Sequence, residues 1–327
     1  MKLINNTILL TSGLLLSSAA MAASYQNCST SGCRTGGSSW VLSSYADTKY
    51  PLILAHGMGG FSSIAGIEYF YGMGPDLTQN GATVFETQVA SFDSSYVRGE
   101  QLLQQTKQIL AITGAPKVNL IAHSQGSLDV RYVAGMLPLK IASVTTVGGL
   151  NKGVPIADAI LTMKNSPAGT LFAPVVSAGI NAFFTLVGVG SGHQYDQNSL
   201  AGLDQLSTAG MAKFNAQFPA GLPTTECGQG SSVANGQRFY SWGGTGKITT
   251  LIDPVDSILT ATGLVGPSEG DGLIPKCTSH IGQVIRDNYN QNHFDEVNQV
   301  LGMVNVFEAS PVTLFRQQAN RLKAAGL

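Results

Sequence analysis

The chain has 327 residues, with 18 basic and 19 acidic side chains and a formal net charge of −1 at neutral pH. Charged residues make up only 11% of it, against roughly 25% in an average soluble domain. A balance this neutral carries no electrostatic signature of nucleic-acid binding. Hydrophobic residues make up 43%, which argues against intrinsic disorder and supplies a large buried core.

The N-terminus has the organisation of a secretory signal peptide. A short segment carries Lys2, Ile8–Leu16 is an uncharged apolar run, and Ala20-Met21-Ala22 places small residues at the −3 and −1 positions of a cleavage site. Nine apolar residues are too few to cross about 30 Å of hydrocarbon as a helix. We therefore predict that residues 1–22 are removed on export, that the mature protein comprises residues 23–327, and that it has no stable membrane insertion.

The four cysteines are Cys28, Cys33, Cys227 and Cys277, and their number suits an oxidising compartment. Three pairings are possible in principle, and spacing favours Cys28 with Cys33 and Cys227 with Cys277. Neither local pattern has the spacing of a zinc site. We expect structural disulfides.

Apolar runs and amphipathic stretches alternate after a Gly/Ser-rich arm at Cys28–Ser39. The predicted elements, in chain order, are a strand at Leu52–Ala55, a strand at Gly81–Phe85, a helix at Val97–Thr113, a strand at Val118–Ala122, a helix at Leu128–Met136 and a strand at Ile141–Val147. Such alternation predicts an α/β fold with a mostly parallel sheet and helices on both faces. Since no repeat and no linker marks a second domain, we expect a single domain.

The stretch from Asn165 to Tyr195 contains no charged residue and many large apolar ones. Pro174 and Gly179 interrupt it, which argues against a membrane span. Two interpretations stay open: a buried hairpin of helices, or a mobile flap whose apolar face covers a cleft in water and turns outward at a lipid surface. The second predicts an apolar helical lid over residues 153–192.

Ser124 lies in the run Ala122-His123-Ser124-Gln125-Gly126, directly after a predicted strand and before a predicted helix. A serine on such a sharp turn needs small residues two positions before and after it, and Ala122 and Gly126 meet that need. The turn lifts the hydroxyl above the sheet at a helix N-terminus, whose positive end favours a developing anion. Ser124 is therefore a candidate nucleophile, and the alternative is a serine that only caps the helix.

A nucleophilic serine needs a base and an acid that orients the base. In doubly wound hydrolase folds the acid and then the histidine follow the serine along the chain, which leaves His280 or His293 as the base. Gly270-Asp271-Gly272 supplies an aspartate flanked by glycines, typical of a turn that presents a carboxylate at the end of a strand. The pattern predicts Asp271 as the acid and leaves the two histidines open.

Several segments carry a family resemblance. They are Tyr50–Gly60, Ala122–Gly126, Asp271–Leu273 followed by Cys277, and Arg286–Gln299. Together they resemble the true lipases of Gram-negative bacteria, of the Pseudomonas and Burkholderia type. The resemblance implies an α/β-hydrolase fold and hydrolysis of triacylglycerols at an oil–water interface. Ser124 matches the nucleophile of that family, Asp271 the acid and His293 the base, so that His280 becomes an ordinary structural residue.

Acyl transfer also needs donors for the oxyanion of the tetrahedral intermediate. The backbone N–H of Gln125 qualifies because it directly follows the nucleophile. The N–H of Met58 qualifies by its position in the glycine-rich loop after the first predicted strand and by the family resemblance.

A disulfide between Cys227 and Cys277 would clamp the loop that carries the acid, because Cys277 lies six residues beyond Asp271. Closing a loop of about fifty residues stabilises by roughly 4 kcal/mol in the chain-entropy account.

The resemblance also implies one bound calcium ion. In the lipases that this chain resembles, two aspartates and two backbone carbonyls hold the ion, and hard oxygen ligands suit Ca²⁺. Those positions correspond here to Asp253, Asp295, Gln299 and Met303. Asp256 is close enough to Asp253 to compete for its place. The ion would be structural and would fix the loop of the catalytic histidine.

Location and partners follow from the same resemblance, which implies secretion through the periplasm and a dedicated membrane-anchored foldase there. Ala122, Ser127 and Gly270 depart from residues common in the family, which bears on substrate preference and removes no catalytic group.

Two other classes of function stay compatible with the sequence: a short-chain carboxylesterase or polyester depolymerase, and a non-enzymatic exported binding protein. The complete set of serine, aspartate and histidine argues against the binding protein, and the apolar stretch favours a lipase over an esterase.

Overall fold

The structure is a computed structural model, and it describes residues 22–61, 63–64, 67–91, 93–164, 198–250, 253–263 and 269–327. Its strands are β1 Ala22–Ser29, β2 Gly32–Trp40, β3 Leu52–Ala55, β4 Ser63–Ile64, β5 Ile67–Glu68, β6 Val84–Thr87, β7 Val118–His123, β8 Ile141–Val147, β9 Val233–Ala234, β10 Gln237–Gly244 and β11 Gln283–Tyr289. Its helices are α1 Met73–Gln79, α2 Ser95–Thr113, α3 Gly126–Met136, α4 Pro155–Lys164, α5 Ser199–Leu206, α6 Thr208–Gln217, α7 Pro254–Gly263 and α8 Pro311–Ala324. Two short 3₁₀ turns lie at Lys276–Ser279 and Asp295–Val297.

One large sheet runs through the described residues in the order β11-β10-β8-β7-β3-β6-β1-β2, with β9 paired to β10. Neighbouring strands are parallel except where β2 pairs with β1 and β9 with β10. Strands β3, β7 and β8 are buried along their whole length, as expected for central strands covered on both faces. The mostly parallel α/β sheet predicted from the alternation of elements is confirmed.

Helices cover both faces of this sheet, because successive side chains of a strand point to opposite sides. On β3, Ile53 belongs to the apolar cluster beneath α2 and α3, and Leu54 belongs to the cluster beneath α1 and α8. With both faces covered, the carboxyl ends of the parallel strands remain as the edge where ligands bind in open α/β sheets. We call it the carboxyl edge.

The first two strands differ from the sequence prediction. Sequence reasoning treats Cys28–Ser39 as a Gly/Ser-rich arm, whereas it belongs to a hairpin whose first strand joins the sheet beside β6. A disulfide between Cys28 and Cys33 closes the hairpin at its turn, and Gly32 adopts φ of 125° there, a conformation that glycine permits. Pairing with an existing sheet, rather than local propensity, makes these residues strands.

The strand predicted at Gly81–Phe85 is shifted towards the C-terminus and runs from Val84 to Thr87. The cause is Gly81, which has φ of 96° and ends the turn after α1 rather than starting a strand.

Two predicted segments lie largely outside the described residues. They are residues 1–21 of the signal peptide and residues 165–192 of the lid. The beginning of the predicted lid is described and contains α4. Within the described ranges, we find no helix with the length and apolar character that crossing a membrane requires.

Candidate active site

Ser124 lies on the turn between β7 and α3, at the carboxyl edge of the sheet. Its backbone adopts φ of 54°, in the left-handed region that costs a non-glycine residue roughly 1–3 kcal/mol. Its N–H donates to the carbonyl of Val147 on β8 at 3.0 Å, and its carbonyl accepts from the N–H of Ser127 at 3.0 Å. These bonds hold a sharp strand–turn–helix elbow.

Two glycines make room for this elbow. A Cβ on Gly126 would lie 2.6 Å from the carbonyl oxygen of His56 and 2.7 Å from that of Ala55. A Cβ on Gly57 would lie 2.7 Å from the Cβ of Ser124. Since carbon atoms pack at about 3.5–4.0 Å, neither position accepts a side chain without moving the backbone around the serine.

His293 and Asp271 form a hydrogen-bonded chain with Ser124. The Nε2 of His293 lies 2.9 Å from the Oγ of Ser124, and its Nδ1 lies 2.7 Å from Oδ2 of Asp271. The other carboxylate oxygen of Asp271 accepts from the N–H groups of Leu273 at 2.9 Å and Ile274 at 2.6 Å. The side chains of all three residues are buried. The imidazole is therefore held between a fixed carboxylate and the serine hydroxyl.

Of the two histidines that the sequence pattern leaves open, the structure brings His293 to Ser124. His280 lies elsewhere, directly after the 3₁₀ turn at Lys276–Ser279, where its Nδ1 is 3.1 Å from the carbonyl of Gly228 and its Nε2 is 3.0 Å from Oδ2 of Asp287. These contacts suit a structural residue.

Met58 and Gln125 both adjoin the serine. Gln125 directly follows Ser124 and is anchored through its side-chain Nε2, which donates to the carbonyl of Asp93 at 2.8 Å. Met58 follows Gly57, whose backbone packs on the serine side chain. Among the described residues, neither backbone N–H has a hydrogen-bond acceptor. Both are therefore able to donate to a bound oxyanion.

Arg98 is fully buried and ties together the loops at the carboxyl edge. Its Nε donates to Oδ2 of Asp129 on α3 at 2.9 Å, and its other nitrogens donate to the carbonyls of Ala90 at 2.6 Å and His56 at 2.8 Å. One side chain thus links α2, α3 and the loops after β3 and β6. Sequence reasoning missed it, and the available signal was a basic residue in the first turn of a helix, where the macrodipole disfavours positive charge.

A second buried polar group packs against His293. The ring of His123 lies 4.4 Å from that of His293, its Nδ1 is 2.7 Å from the hydroxyl of Tyr69, and its Nε2 is 3.3 Å from Oε2 of Glu296. Burial lowers the pKa of His123 well below its ordinary value and raises the pKa of Glu296 well above its own. Sequence reasoning gave neither residue a role, although His123 directly precedes Ser124 and Glu296 lies three residues beyond His293.

The group formed by His123, His293 and Glu296 could hold a metal ion, because its ligand atoms lie within 4.8 Å of one another. Two of its three ligands are nitrogens, which suit transition metals better than Ca²⁺.

The two aspartates that the resemblance assigns to calcium have buried carboxylates. Asp253 and Asp295 are buried, and one carboxylate oxygen of each is buried without a hydrogen-bond partner among the described residues. Burial raises the pKa of both carboxyl groups, that of Asp295 to about 7. Nearby Asp256 raises both further. Two buried acceptors without partners, on carboxylates whose charges act on each other, fit a cation.

Asp256 itself is already satisfied. Its carboxylate accepts from the N–H groups of Thr249 at 2.8 Å and Thr250 at 2.9 Å, and from the side-chain amide of Asn292 at 2.7 Å. This leaves Asp253 as the aspartate with a spare oxygen.

The two carbonyl positions follow Asp295 along the chain. The N–H of Gln299 donates to the carbonyl of Phe294 at 3.0 Å, which keeps Gln299 beside Asp295, and the N–H of Met303 donates to the carbonyl of Val300 at 3.0 Å.

Both disulfides are formed, Cys28 with Cys33 and Cys227 with Cys277. The second joins the segment before β9 to the 3₁₀ turn that follows Asp271, so it clamps the loop of the acid.

The α/β-hydrolase fold family matches residues 50–252. A triacylglycerol lipase of Vibrio cholerae is 46% identical over 286 residues, which cover 86% of this chain and 90% of the relative. The chain belongs to the triacylglycerol lipases of the α/β-hydrolase fold. Triacylglycerol lipases of Burkholderia plantarii and Pseudomonas fragi are 40% and 38% identical, each over 86% of this chain and over 88% and 98% of the relatives.

Solved structures share the architecture of this lipase. A mature lipase of Bacillus licheniformis superposes with a TM-score of 0.57 at 16% identity, over 84% of this chain and 93% of that one. The lipase of Staphylococcus hyicus superposes with a TM-score of 0.51 at 16% identity, over 85% and 97%. Identities this low show the fold alone. The predicted α/β-hydrolase fold, the lipase resemblance and the class of serine ester hydrolase are confirmed.

Proposed function

We propose that this lipase hydrolyses long-chain acylglycerols through a covalent acyl-enzyme, with Ser124 as the nucleophile, His293 as the base and Asp271 as the acid that orients the base. The observation that carries the proposal is the unbroken hydrogen-bonded chain from the Oγ of Ser124 through the imidazole to the carboxylate.

In the first half-reaction, the Nε2 of His293 takes the proton of Ser124 as the serine oxygen attacks the ester carbonyl carbon. The imidazolium then gives that proton to the departing glycerol oxygen, and the acyl group stays on the serine. Asp271 remains ionised, keeps the proton of the imidazole on Nδ1 and stabilises the charged ring.

In the second half-reaction, water takes the place of the alcohol. His293 accepts a proton from the water as its oxygen attacks the acyl carbon, and the tetrahedral intermediate then releases the fatty acid. The oxygen of Ser124 recovers its proton from the imidazolium, which returns the enzyme to its starting state.

The oxyanion of both tetrahedral intermediates accepts hydrogen bonds from the backbone N–H groups of Met58 and Gln125. Two observations support this role: neither N–H group has an acceptor within the described part of the chain, and both residues lie close to Ser124. One such donor contributes about 3 kcal/mol to transition-state stabilisation. Because the donors are backbone groups, changes to the side chains of Met58 and Gln125 cost less than the loss of Ser124.

We further propose one structural Ca²⁺ held by the carboxylates of Asp253 and Asp295 and the backbone carbonyls of Gln299 and Met303. Two orphaned buried carboxylate oxygens and an all-oxygen set of donors support this site. A bound ion offsets the negative charge of the two aspartates and links the start of α7 to the loop of His293. No catalytic step passes through it.

Outside the active site, we propose that residues 1–22 are a signal peptide, that residues 23–327 form one hydrolase domain with a lid at about residues 153–192, and that the mature enzyme is secreted through the periplasm. Two disulfides support an oxidising destination. A periplasmic foldase completes the proposal. The foldase is tested by the yield of active enzyme when the denatured chain is refolded alone. Efficient refolding without any partner would contradict the need for a foldase.

An ester-like phosphonate tests the catalytic proposal, because such compounds phosphonylate an activated serine. We expect mass spectrometry of the wild type to find one adduct on Ser124, with loss of activity in proportion. The variant His293→Ala should react far more slowly, since its serine lacks a base. Labelling at another residue, with Ser124 unmodified, would contradict the assignment.

A further inference from the structure

An exposed apolar tip lies just before α8. Val306 and Phe307 are 83% and 96% exposed. Single apolar residues on a surface are common, but two adjacent large ones, nearly fully open to water, forgo the burial that stabilises such side chains elsewhere. This pair, here named the 306–307 tip, is suited to a partner that offers an apolar medium.

The tip is held in place by polar contacts rather than left loose. The N–H of Phe307 donates to Oδ1 of Asn305 at 2.9 Å. The next residue, Glu308, accepts from the N–H of Asn290 at 2.9 Å and from the guanidinium of Arg286 at 2.9 Å. Because the loop is fixed before any contact is made, little conformational entropy is lost when the tip inserts into a partner.

The tip adjoins the loop of the catalytic base. Gln291, two residues before His293, donates from its side chain to the carbonyl of Ala309 at 2.8 Å. The carbonyl of Gln291 accepts from the N–H of Gly246 at 3.0 Å, in the loop that also presents Ile248, 63% exposed. Two loops with exposed apolar residues therefore form hydrogen bonds to the same residue, Gln291.

The direction of α8 places the tip at the carboxyl edge. The end of the chain lies at the opposite edge, where the N–H of Lys49 donates to the carbonyl of Leu327 at 2.8 Å, shortly before β3 begins. The helix thus runs antiparallel to the strands, and its start lies on the side of Ser124. An object that contacts the tip therefore lies on the same side of the sheet as Ser124.

We propose that Val306 and Phe307, with Ile248 on the other loop that contacts Gln291, anchor the enzyme in the surface of a neutral lipid and hold the carboxyl edge against it. The inference rests on the proposed function, because that function brings substrate to Ser124 from a lipid surface. Insertion of Val306, Phe307 and Ile248 contributes binding free energy in proportion to the apolar area removed from water.

Charge and shape favour neutral lipid over other occupants. Arg286 and Glu308 form an ion pair at 2.9 Å beside the tip, so these two charges offset each other, and the whole chain has a net charge of −1, which gives no overall attraction to anionic headgroups. A side chain that is 96% exposed projects from the surface, whereas a second protein copy needs a broad complementary area.

Tryptophan fluorescence can report which part of the protein enters lipid. The full chain carries Ser124→Ala to prevent hydrolysis and Trp40→Phe to remove an exposed reporter, since Trp40 is 62% exposed. Phe307→Trp is compared with Leu139→Trp, because Leu139 is 80% exposed and precedes β8 at the opposite edge. With triolein-loaded phosphatidylcholine particles that contain brominated lipid, we expect a blue shift and quenching for Phe307→Trp and neither for Leu139→Trp.

Partitioning measures the contribution of the tip. The double variant Val306→Ser with Phe307→Ser should bind the same particles about tenfold or more weakly, whereas Leu139→Ser should bind like the wild type. With Ser124 intact, both variants should hydrolyse a soluble short-chain ester at the wild-type rate. Equal partitioning of the double variant, a requirement for anionic lipid, or self-association through the tip in sedimentation would overturn the anchor. Absence of soluble-ester hydrolysis in the wild type would instead overturn the proposed function.

Discussion

The residues that we propose as catalytic adopt backbone conformations or bury charges at a cost in free energy. Ser124 has a left-handed backbone, and the carboxylate of Asp271 is buried but compensated by two backbone N–H groups and the imidazole. Each cost is offset by contacts from neighbouring elements, such as the hydrogen bond from the N–H of Ser124 to the carbonyl of Val147. Such sites lose activity on small changes that leave the rest of the fold intact.

Replacement of the base is the first prediction at this scale. His293→Ala should lower kcat for a soluble ester by at least about a thousandfold, because the serine keeps the oxyanion donors but loses its proton acceptor. Asp271→Asn should lower kcat less. His280→Ala is the matched control, since His280 is equally buried and bonded elsewhere. Comparable losses in His280→Ala, per folded molecule, would refute the choice between the histidines.

Crowding at the elbow gives the second prediction. Gly126→Ala places a methyl group against the carbonyls of His56 and Ala55, so we expect about 2 kcal/mol lower free energy of unfolding and a large loss of kcat as the serine shifts. Gly114→Ala, at the end of α2 where a Cβ meets nothing within 4 Å, should cost stability through its φ of 64° but keep activity. Wild-type turnover in Gly126→Ala, measured with denaturant unfolding, would show that the elbow tolerates a side chain.

Sequence reasoning at the residue level succeeds where chemistry restricts the residue type. The small residues around Ser124 and the glycines around Asp271 can be recognised in the sequence, because steric crowding restricts those positions to small residues. The contacts of Arg98 and Glu296 were not predictable, because their partners are far away along the chain: Arg98 bonds to His56, and Glu296 lies near His123. For Arg98 the sequence shows only a basic residue in the first turn of a helix.

At the scale of elements, the loops after β3, β7, α7 and β11 converge on the carboxyl edge, and different interactions hold them in place. A disulfide holds the loop of Asp271, the buried pair of Arg98 and Asp129 holds the loops after β3 and β6, and the proposed calcium site holds the loop of His293. Breaking a buried ion pair by removing one partner typically costs about 3–5 kcal/mol.

Calcium removal is the prediction at this scale. If Asp253 and Asp295 hold an ion, a chelator should lower the Tm by about 5 °C or more and lower activity with it, because the ion binds the folded state only. Asp253→Ala should show the lowered Tm and no further response to chelator. Asp287→Ala, which removes an acidic group elsewhere on the surface, should keep the wild-type response. An unchanged Tm on chelation would count against the site.

Elements were predictable from the sequence where burial imposes a pattern. The strands β3, β7 and β8 and the helices α2 and α3 appear close to their predicted bounds, because continuous apolar runs and amphipathic spacing reflect their surroundings. The hairpin of β1 and β2 could not be predicted in this way, since its Gly/Ser-rich residues have no strand pattern of their own and depend on the edge of β6.

At the scale of the whole molecule, access of lipid to the carboxyl edge decides whether the chemistry is used. The uncharged stretch from Asn165 to Tyr195 lies outside the described residues and stays a sequence-based prediction. In the lid interpretation, we predict that its apolar face lies over the cleft in water and is released at an oil surface, because exposure of apolar area to water costs about 25 cal/mol for each Å². A differential of a few kcal/mol is enough to shift a two-state lid from mostly closed to mostly open.

Interfacial activation follows as a prediction. The rate with one ester should rise sharply as its concentration passes the solubility limit. Replacing Phe183 and Phe184 by Ser should blunt that rise while sparing hydrolysis of a soluble short-chain ester, because neither residue takes part in bond breaking. A smooth hyperbola for the wild type, recorded across the limit, would favour the esterase interpretation over the lipase one.

The most direct test of the account is fatty-acid release from emulsified triolein by wild type and Ser124→Ala, prepared identically and matched by circular dichroism. The account predicts steady release of oleate by the wild type and, for Ser124→Ala, a rate reduced by about a million-fold to background. Release by Ser124→Ala at the wild-type rate would contradict the catalytic role of the serine, and no release by a folded wild type would contradict the activity on triacylglycerols.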